Sequence, residues 1–441
     1  MHTLGGRRDG ARRHLGGATP VVALLAAAVL LAACSSTASP AATTASPGSG
    51  TTSGIPASAF SDHTGVTADS VTVGNVSILA YGLFKGAPVG TKAYADYVNS
   101  TGGVDGRKLV VDSSDDGFQG APNEQETRAA VEIDFALVGS FSLEDSYGAS
   151  VLAADPTVSN VSVALSPTAS DLPNTFSVNP VRVGWQLGGL EYFKQQYPGD
   201  ITHTGAIVSS EPSAQTTWGA EQQAMTSLGY KVVSDPSYTV TQTDFTQDVI
   251  AMKNAGVKIL FMEQLPQNYA GAVVQALDQQ NYHPVVVLGA AGYSEAFVPS
   301  SGGAANADGI WLDQSTALYL GEDASVLPAD QTFLHWIQVA SPGFKPDLYT
   351  LYGWLSAELF VQALKRSGAD PSRGSLMEQL RKITSFNGGG LVAEVNPVAK
   401  TPSGCYIIAR VVNGAFVRMQ DPPTTGSTDG FRCDKPFFFA K

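Results

Sequence analysis

"VKILFMEQLPQNYAGAVVQALDQQNYHPVVVLG", residues 257–289, sets two short apolar runs on either side of one amphipathic stretch. The runs "VKILFME" (257–263) and "PVVVLG" (284–289) are rich in Val, Ile and Leu and too short for ordinary helices, which is the pattern of strands buried on both faces. Between them "NYAGAVVQALDQQN" (268–281) repeats apolar residues at three- and four-residue spacing, a helix with one buried face. Strand, helix, strand in this order is a parallel pair joined by a crossover helix.

The same rhythm extends outward in both directions. Strand-like runs recur at "SVTVGNVSIL" (70–79), "KLVVDSS" (108–114), "FALVGSF" (135–141), "VSVAL" (161–165), "HTGAIVSS" (203–210) and "YKVVSD" (230–235), separated by helical stretches such as "TKAYADYVNS" and "FTQDVIAMKNAG". The chain is therefore expected to be α/β with parallel sheets. The rhythm breaks near "TFSVNPVRV" (175–183) and restarts there and again at "DGIWLDQS" (308–315). A body of about 380 residues is too long for one ordinary core, so two lobes sharing crossovers are expected.

Ahead of this body, "LLAACSSTASP" (30–40) ends an apolar run at a cysteine. The run from Pro20 to Ala33 is shorter than the roughly 20 residues that cross a bilayer, and it follows Arg7, Arg8, Arg12 and Arg13 against a single Asp9. That asymmetry is a secretory leader. Leu31, Ala32, Ala33 and Cys34 resemble the lipobox of bacterial lipoproteins, which implies that residues 1–33 are removed and Cys34 becomes the acylated, membrane-anchoring N-terminus. An ordinary signal peptide cut near Cys34 is the alternative, and general secretion against twin-arginine export stays open. Residues 34–66 then read as the lipidated cysteine and a flexible tether, because Ser, Thr, Ala, Pro and Gly dominate as far as about Ser61 and cannot build a core.

The 441-residue chain carries 26 basic and 39 acidic residues, a net charge of −13. Removing the leader's four arginines and one aspartate leaves 22 basic and 38 acidic residues, a net of −16. So acidic a body lacks the basic stripe that nucleic acid requires and would be repelled by anionic headgroups, leaving the lipid as its membrane contact. Besides Cys34 the only cysteines are Cys405 and Cys433, which in an exported chain invite pairing, with two free thiols as the alternative. Closing that loop is worth roughly 3.5 kcal/mol in the chain-entropy account.

Several segments, in their order along the chain, resemble the leucine/isoleucine/valine-binding type of solute-binding protein that serves ABC importers. They are "VNSTGGVDGRKLVVDSSDDG" (98–117), "ALVGSFS" (136–142), "DFTQDVIAMKNAGVKILFM" (244–262) and "DLYTLYGWLSAELFVQALKRSG" (347–368). The resemblance implies the type 1 periplasmic-binding fold: two Rossmann-like lobes joined by three crossing strands, with a cleft at the carboxyl ends of the strands. It assigns 67–178 plus 310–388 to the N-terminal lobe and 179–309 plus 389–441 to the C-terminal lobe. The implied function is extracytoplasmic capture of a small amino-acid-like or carboxylate/amide solute by a monomer that delivers it to importer permease subunits. A ligand sensor of the same fold is the alternative.

The family's ligand positions fall on named residues. Ser140 and Ser142, then Thr168 and Ser170, match the places that offer hydroxyls to a substrate carboxylate, though they also suit helix caps and turns. Trp218 matches an aromatic that covers the substrate, or it packs on its neighbours. In the second lobe Glu263 and Tyr293 are the candidates. Ala291 falls where amino-acid binders carry the acid that meets the substrate ammonium, so either Glu263 supplies that charge or the ligand is not an α-amino acid, with Glu295 as an alternative acid.

No cofactor or metal is expected. "DSSDDGFQGAPNE" (112–124) has acids at calcium-loop spacing, but Asn123 stands where a bidentate Glu is needed. The histidines of the body, His63, His203, His283 and His335, have no metal spacing, and no nucleophile elbow, zinc-protease, P-loop or dinucleotide motif occurs. A binding protein is expected and not an enzyme.

Overall fold

The computed structural model describes residues 54–180, 184–419 and 430–440. The leader, Cys34 and most of the tether lie outside them. The described chain carries a five-stranded and a seven-stranded sheet, with two further two-stranded pairs, Ser237–Tyr238 with Val208–Ser209 and Phe437–Phe439 with Gly184–Gln186. In the first lobe β1 (Ser70–Ser77), β2 (Lys108–Asp115), β3 (Leu137–Val138), β4 (Asn160–Val161) and β5 (Thr175–Phe176) form an all-parallel sheet in the order β2-β1-β3-β4-β5. After β6 (Gly184–Gln186) the chain enters the second lobe with β7 (Thr204–Ala206), β8 (Val208–Ser209), β9 (Val232–Ser234), β10 (Ser237–Tyr238), β11 (Ile259–Met262), β12 (Val285–Gly289), β13 (Trp311–Gln314), β14 (Ile407–Val412) and β15 (Ala415–Arg418). Its main sheet runs β15-β14-β13-β12-β11-β7-β9, parallel from β9 to β13 and antiparallel at the β14 and β15 edge. Met262 pairs with Leu288 and Gly289 with Asp313. The opening stretch thus is a parallel crossover unit, with its helix at Gln267–Gln279.

The long helix Leu348–Arg366 belongs to the first lobe despite its late position. Asp347 caps it, accepting from Thr350 N at 2.8 Å in a capping box, and Lys365 and Arg366 occupy its last turn. It lies almost backbone to backbone on the helix Gly86–Ser100: a Cβ on Gly90 would be 1.9 Å from Thr350 O, and one on Gly353 would be 2.0 Å from Ala87 O. Glycines permit that approach, and the aromatic pairs Tyr94–Trp354 and Phe333–Trp354 close the seam.

Two boundaries differ from those expected. β13 pairs with β12, so the chain leaves the second lobe after Gln314 and not at residue 310. The packed body also begins before residue 67: Ile55 and Ala59 are buried, and Asp62 receives Arg373 Nη1 at 3.2 Å. One apolar residue every four, set in a polar run, is enough to dock this segment against the helix Arg373–Leu380.

Three stretches cross between the lobes. Two of them, at 315–317 and 391–393, form a short antiparallel ribbon in which Ala317 N donates to Leu391 O and Ala393 N to Ser315 O, both at 3.0 Å. The third runs from β5 to β6, and β16 (Phe437–Phe439) pairs antiparallel with β6. Cys405, just ahead of β14, and Cys433, on the approach to β16, form a disulfide. Among the described residues no helix is long and apolar enough to cross a membrane.

Candidate ligand-binding site

A cavity of about 330 Å³ lies between the lobes at the carboxyl ends of the strands, with the crossing stretches as its floor. Its size is in the range of small-ligand sites. The first lobe contributes an apolar wall. Phe84 and Phe141, from the loops after β1 and β3, pack on Tyr349 with ring centroids 4.5 and 4.9 Å away, and Tyr352 follows one turn along the same helix. Tyr352 receives Asn179 Nδ2 from the third crossing at 2.9 Å. The second lobe adds Tyr238 and Tyr269, and β6 and β16 add Trp185 and Phe437.

The polar groups collect on the second lobe. Glu263, Gln264, Asp313, Gln314, Ser209 and Ser213 all face the cavity, and among the described residues no Lys, Arg or His does. The register explains the carboxyls: Glu263 follows β11, Gly289 ends β12 and Asp313 lies on β13 directly opposite Gly289, so both acids flank one glycine. A Cβ on Gly289 would stand 2.5 Å from Glu263 Oε2, and one on Gly189 would stand 1.5 Å from Asp313 Oδ2. Behind them Glu221 is buried on the helix Pro212–Ser227.

Burial raises all three carboxyls, and Asp313 adds to the shift of the other two. Burial pushes Asp313 up to about 7. Burial, then the charge of Asp313, holds Glu221 well above the usual carboxylate range. Burial, Asp313 and Glu221 do the same to Glu263. Asp313 Oδ1, Glu221 Oε1, Gln264 Nε2, Gln314 Oε1 and Ser213 Oγ have no hydrogen-bond partner among the described residues. Buried polar atoms are ordinarily paired, and an unpaired group costs about 1–3 kcal/mol, so such a cluster at a cavity wall is suited to a ligand's polar end.

Of the residues expected at the site, the cavity receives Glu263 alone. Ser140 Oγ accepts from Val76 N at 3.0 Å, and Ser142 Oγ donates to Asp116 Oδ2 at 2.5 Å, and neither serine lines this cavity. Thr168 and Ser170 lie in the short helical turn Pro167–Ser170, where Thr168 Oγ1 meets Ser166 Oγ at 3.0 Å and Ser170 Oγ reaches Pro167 O. Trp218 is one residue beyond Thr217, which does line the cavity. A step of about 100° around the helix turns the indole into the second lobe's core. There its Nε1 donates to Asp235 Oδ2 at 3.0 Å. Tyr293 is fully buried, its hydroxyl donating to Glu322 Oε2 at 2.7 Å, while Ala290 and Ala291 before it face the cavity. Glu295 is paired with Lys345 at 2.6 Å.

Asp116, in the stretch with calcium-like spacing, accepts from Phe118 N, Asn123 Nδ2 and Ser142 Oγ, which makes it a turn and cap residue. Among the described residues no group of three or more His, Cys, Asp or Glu could hold a metal ion. The site residues that sequence reasoning passed over are Asp313, Phe141, Tyr349 and Tyr352. Asp313 stands at the carboxyl end of a recognised strand, and the two tyrosines open the Tyr-rich helix, so position was their available signal.

The model of a family described as periplasmic binding protein matches residues 77–415. No curated protein is similar in sequence. A fatty acid ABC transporter substrate-binding protein from Thermomonospora curvata superposes with a TM-score of 0.70 at 16% identity, over 86% of this chain and 95% of that one. A leucine-binding protein LivK from Thermotoga maritima gives 0.66 at 13% identity, over 79% of this chain and 97% of that one. The branched-chain amino acid substrate-binding protein LivJ from Streptococcus pneumoniae, solved with isoleucine, gives 0.64 at 16% identity, over 80% of this chain and 100% of that one.

Proposed function

This chain belongs to the periplasmic binding protein family, and we propose that it captures a small solute with an apolar body between its lobes and delivers it to an ABC importer. Membership makes it an extracytoplasmic binding protein and not an enzyme. Attachment to the membrane through a lipid on Cys34 completes the proposal, since the acidic body has no other hold on a bilayer.

The observation that carries the solute reading is the lining of the cavity: aromatic and aliphatic on the first lobe, polar only on the second. The hydroxyls that would receive an α-carboxylate bond within the first lobe, which argues against a free α-amino acid. The neighbour from Thermomonospora curvata is named for fatty acids, and an apolar body of that kind suits these walls. A free carboxylate would meet acids and, among the described lining residues, no base.

A thermal-shift screen of the mature domain tests this against branched-chain amino acids, medium-chain acids, alcohols and amines, and sugars. A ligand at 100 times its dissociation constant adds about 2.7 kcal/mol of stability. Shifts from apolar-bodied compounds are expected. A shift confined to sugars would overturn the reading.

A further inference from the structure

We propose that the strand β16 is the wall that limits the size of the solute, with Phe437 as the residue that sets the limit. This rests on the cavity holding a solute with an apolar body. The family match ends at residue 415, and among the described residues Phe437 is the one lining residue beyond it. The wall is thus added from outside the matched span to a cavity whose other described lining residues lie within it.

One face of this strand is turned to the solute. Phe437 stands opposite Gln186 of β6, and both line the cavity. Residues directly opposite in an antiparallel pair share a face. Phe438, on the other face, stands opposite Trp185 and packs against the second lobe's core. Gly184 lets the phenyl ring of Phe437 settle on the β6 backbone: a Cβ there would stand 2.5 Å from the ring's Cε1 and 2.1 Å from Phe438 O. Because β6 ends the third crossing, this wall stands at the hinge and not on the rim of either lobe.

A pair of three-residue strands is marginal in water by itself. β16 is held by three ties placed just ahead of it. Cys433 is bonded to Cys405. Arg432 and Tyr406 exchange backbone hydrogen bonds at 2.9 and 2.7 Å. Lys435 Nζ meets Glu191 at 2.8 Å. So much support behind a single cavity-facing ring is what selection by size requires, because a ring free to swing aside would exclude nothing.

The consequence is a ceiling on the solute. Up to the ceiling each further methylene buried is worth about fourfold in affinity. Beyond it the solute meets the Phe437 ring, and overpacking cancels the gain. Removing the phenyl opens that side of the cavity and moves the preference toward longer solutes.

Titration calorimetry of the intact mature domain with 1-hexanol, 1-octanol and 1-decanol tests this. The probes are uncharged, so the carboxyls of the cavity do not enter the comparison. In Phe437→Ala the affinity for 1-decanol relative to 1-hexanol should rise at least about fourfold over wild type, the worth of one more buried methylene. Phe437→Leu should move the ratio the same way by less, and it decides alone if the alanine variant does not fold. Phe439→Ala, on the same strand but outside the cavity and half exposed, should keep the wild-type ratio. An unchanged ratio in a folded Phe437 variant, or an equal change in Phe439→Ala, would sink the wall while leaving the cavity as the ligand site. Binding of none of the three alcohols by the wild type would overturn both readings.

Discussion

Glu263 leaves Gly289 no room for a side chain: its backbone carbonyl oxygen stands 2.2 Å, its Oε2 2.5 Å and its Cα 2.6 Å from the place of a Cβ there. The backbone of Gly289 has a φ of −91°, which any residue adopts, so the glycine is required by this contact and not by its conformation. Gly289→Ala should therefore lower stability by about 1–3 kcal/mol, the usual cost of overpacking. It should also push Glu263 into the cavity and weaken ligand binding. Denaturant unfolding with a binding isotherm checks both, and Glu263→Ala in the same chain should restore little of the lost stability, because the backbone of Glu263 still blocks the site.

The unliganded protein should be more stable at pH 5 than at pH 7.5. Asp313 keeps its proton up to about 7 when folded and loses it near 3.8 when unfolded. Asp134, Asp330 and Glu358 are likewise pushed by burial to about 7. Between roughly pH 4 and 7 the folded state thus binds more protons, and stability falls as pH rises through that window. Melting curves across it should slope downward, and Asp313→Asn should flatten the slope. An upward slope would show that these groups are ionised in the folded protein.

Trp218 separates the two views of the site. If its indole covered the ligand, Trp218→Phe would cost affinity. Its burial and its bond to Asp235 predict instead a loss of stability of about 1–3 kcal/mol with affinity held within about twofold. Paired unfolding and titration curves for this one variant distinguish the outcomes.

Anchoring has its own test. Cys34→Ser should shift the protein from the membrane to the soluble fraction, or block processing, because a lipid contributes about 0.8 kcal/mol per buried methylene and the tether offers no apolar face in its place. Cell fractionation reads the result directly. A membrane pool unchanged by the substitution is incompatible with lipidation at Cys34.

The fold was legible because parallel strands buried on both faces announce themselves as apolar runs, and because the helices between them keep one apolar stripe. The stretch 257–289 became two strands and a helix within two or three residues of the expected limits. Lobe limits were less legible, since β13 looks the same from either lobe and only its pairing with β12 assigns it. Of the ligand residues Glu263 was reached because strand ends line the cleft. Ser140, Ser142 and Trp218 were misplaced for a common reason: a one-residue step turns a side chain from the cavity to the interior, and hydroxyls find partners in adjacent loops that no sequence pattern names.

Disulfide removal offers a further measurement. Cys405→Ser together with Cys433→Ser frees the path to β16, which carries Phe437 in the cavity wall. Stability should fall by about 2–4 kcal/mol. Ligand dissociation should also quicken, which stopped-flow fluorescence resolves; an unchanged off-rate would mean that β16 holds to β6 without the tie.

Phe437 follows every other wall residue in sequence, so during synthesis the cavity has no complete boundary until that strand emerges. The bond between Cys405 and Cys433 then forms only in an oxidising compartment. A chain cut short before Phe437 would therefore keep every other wall residue and still leave the cavity open beside β6.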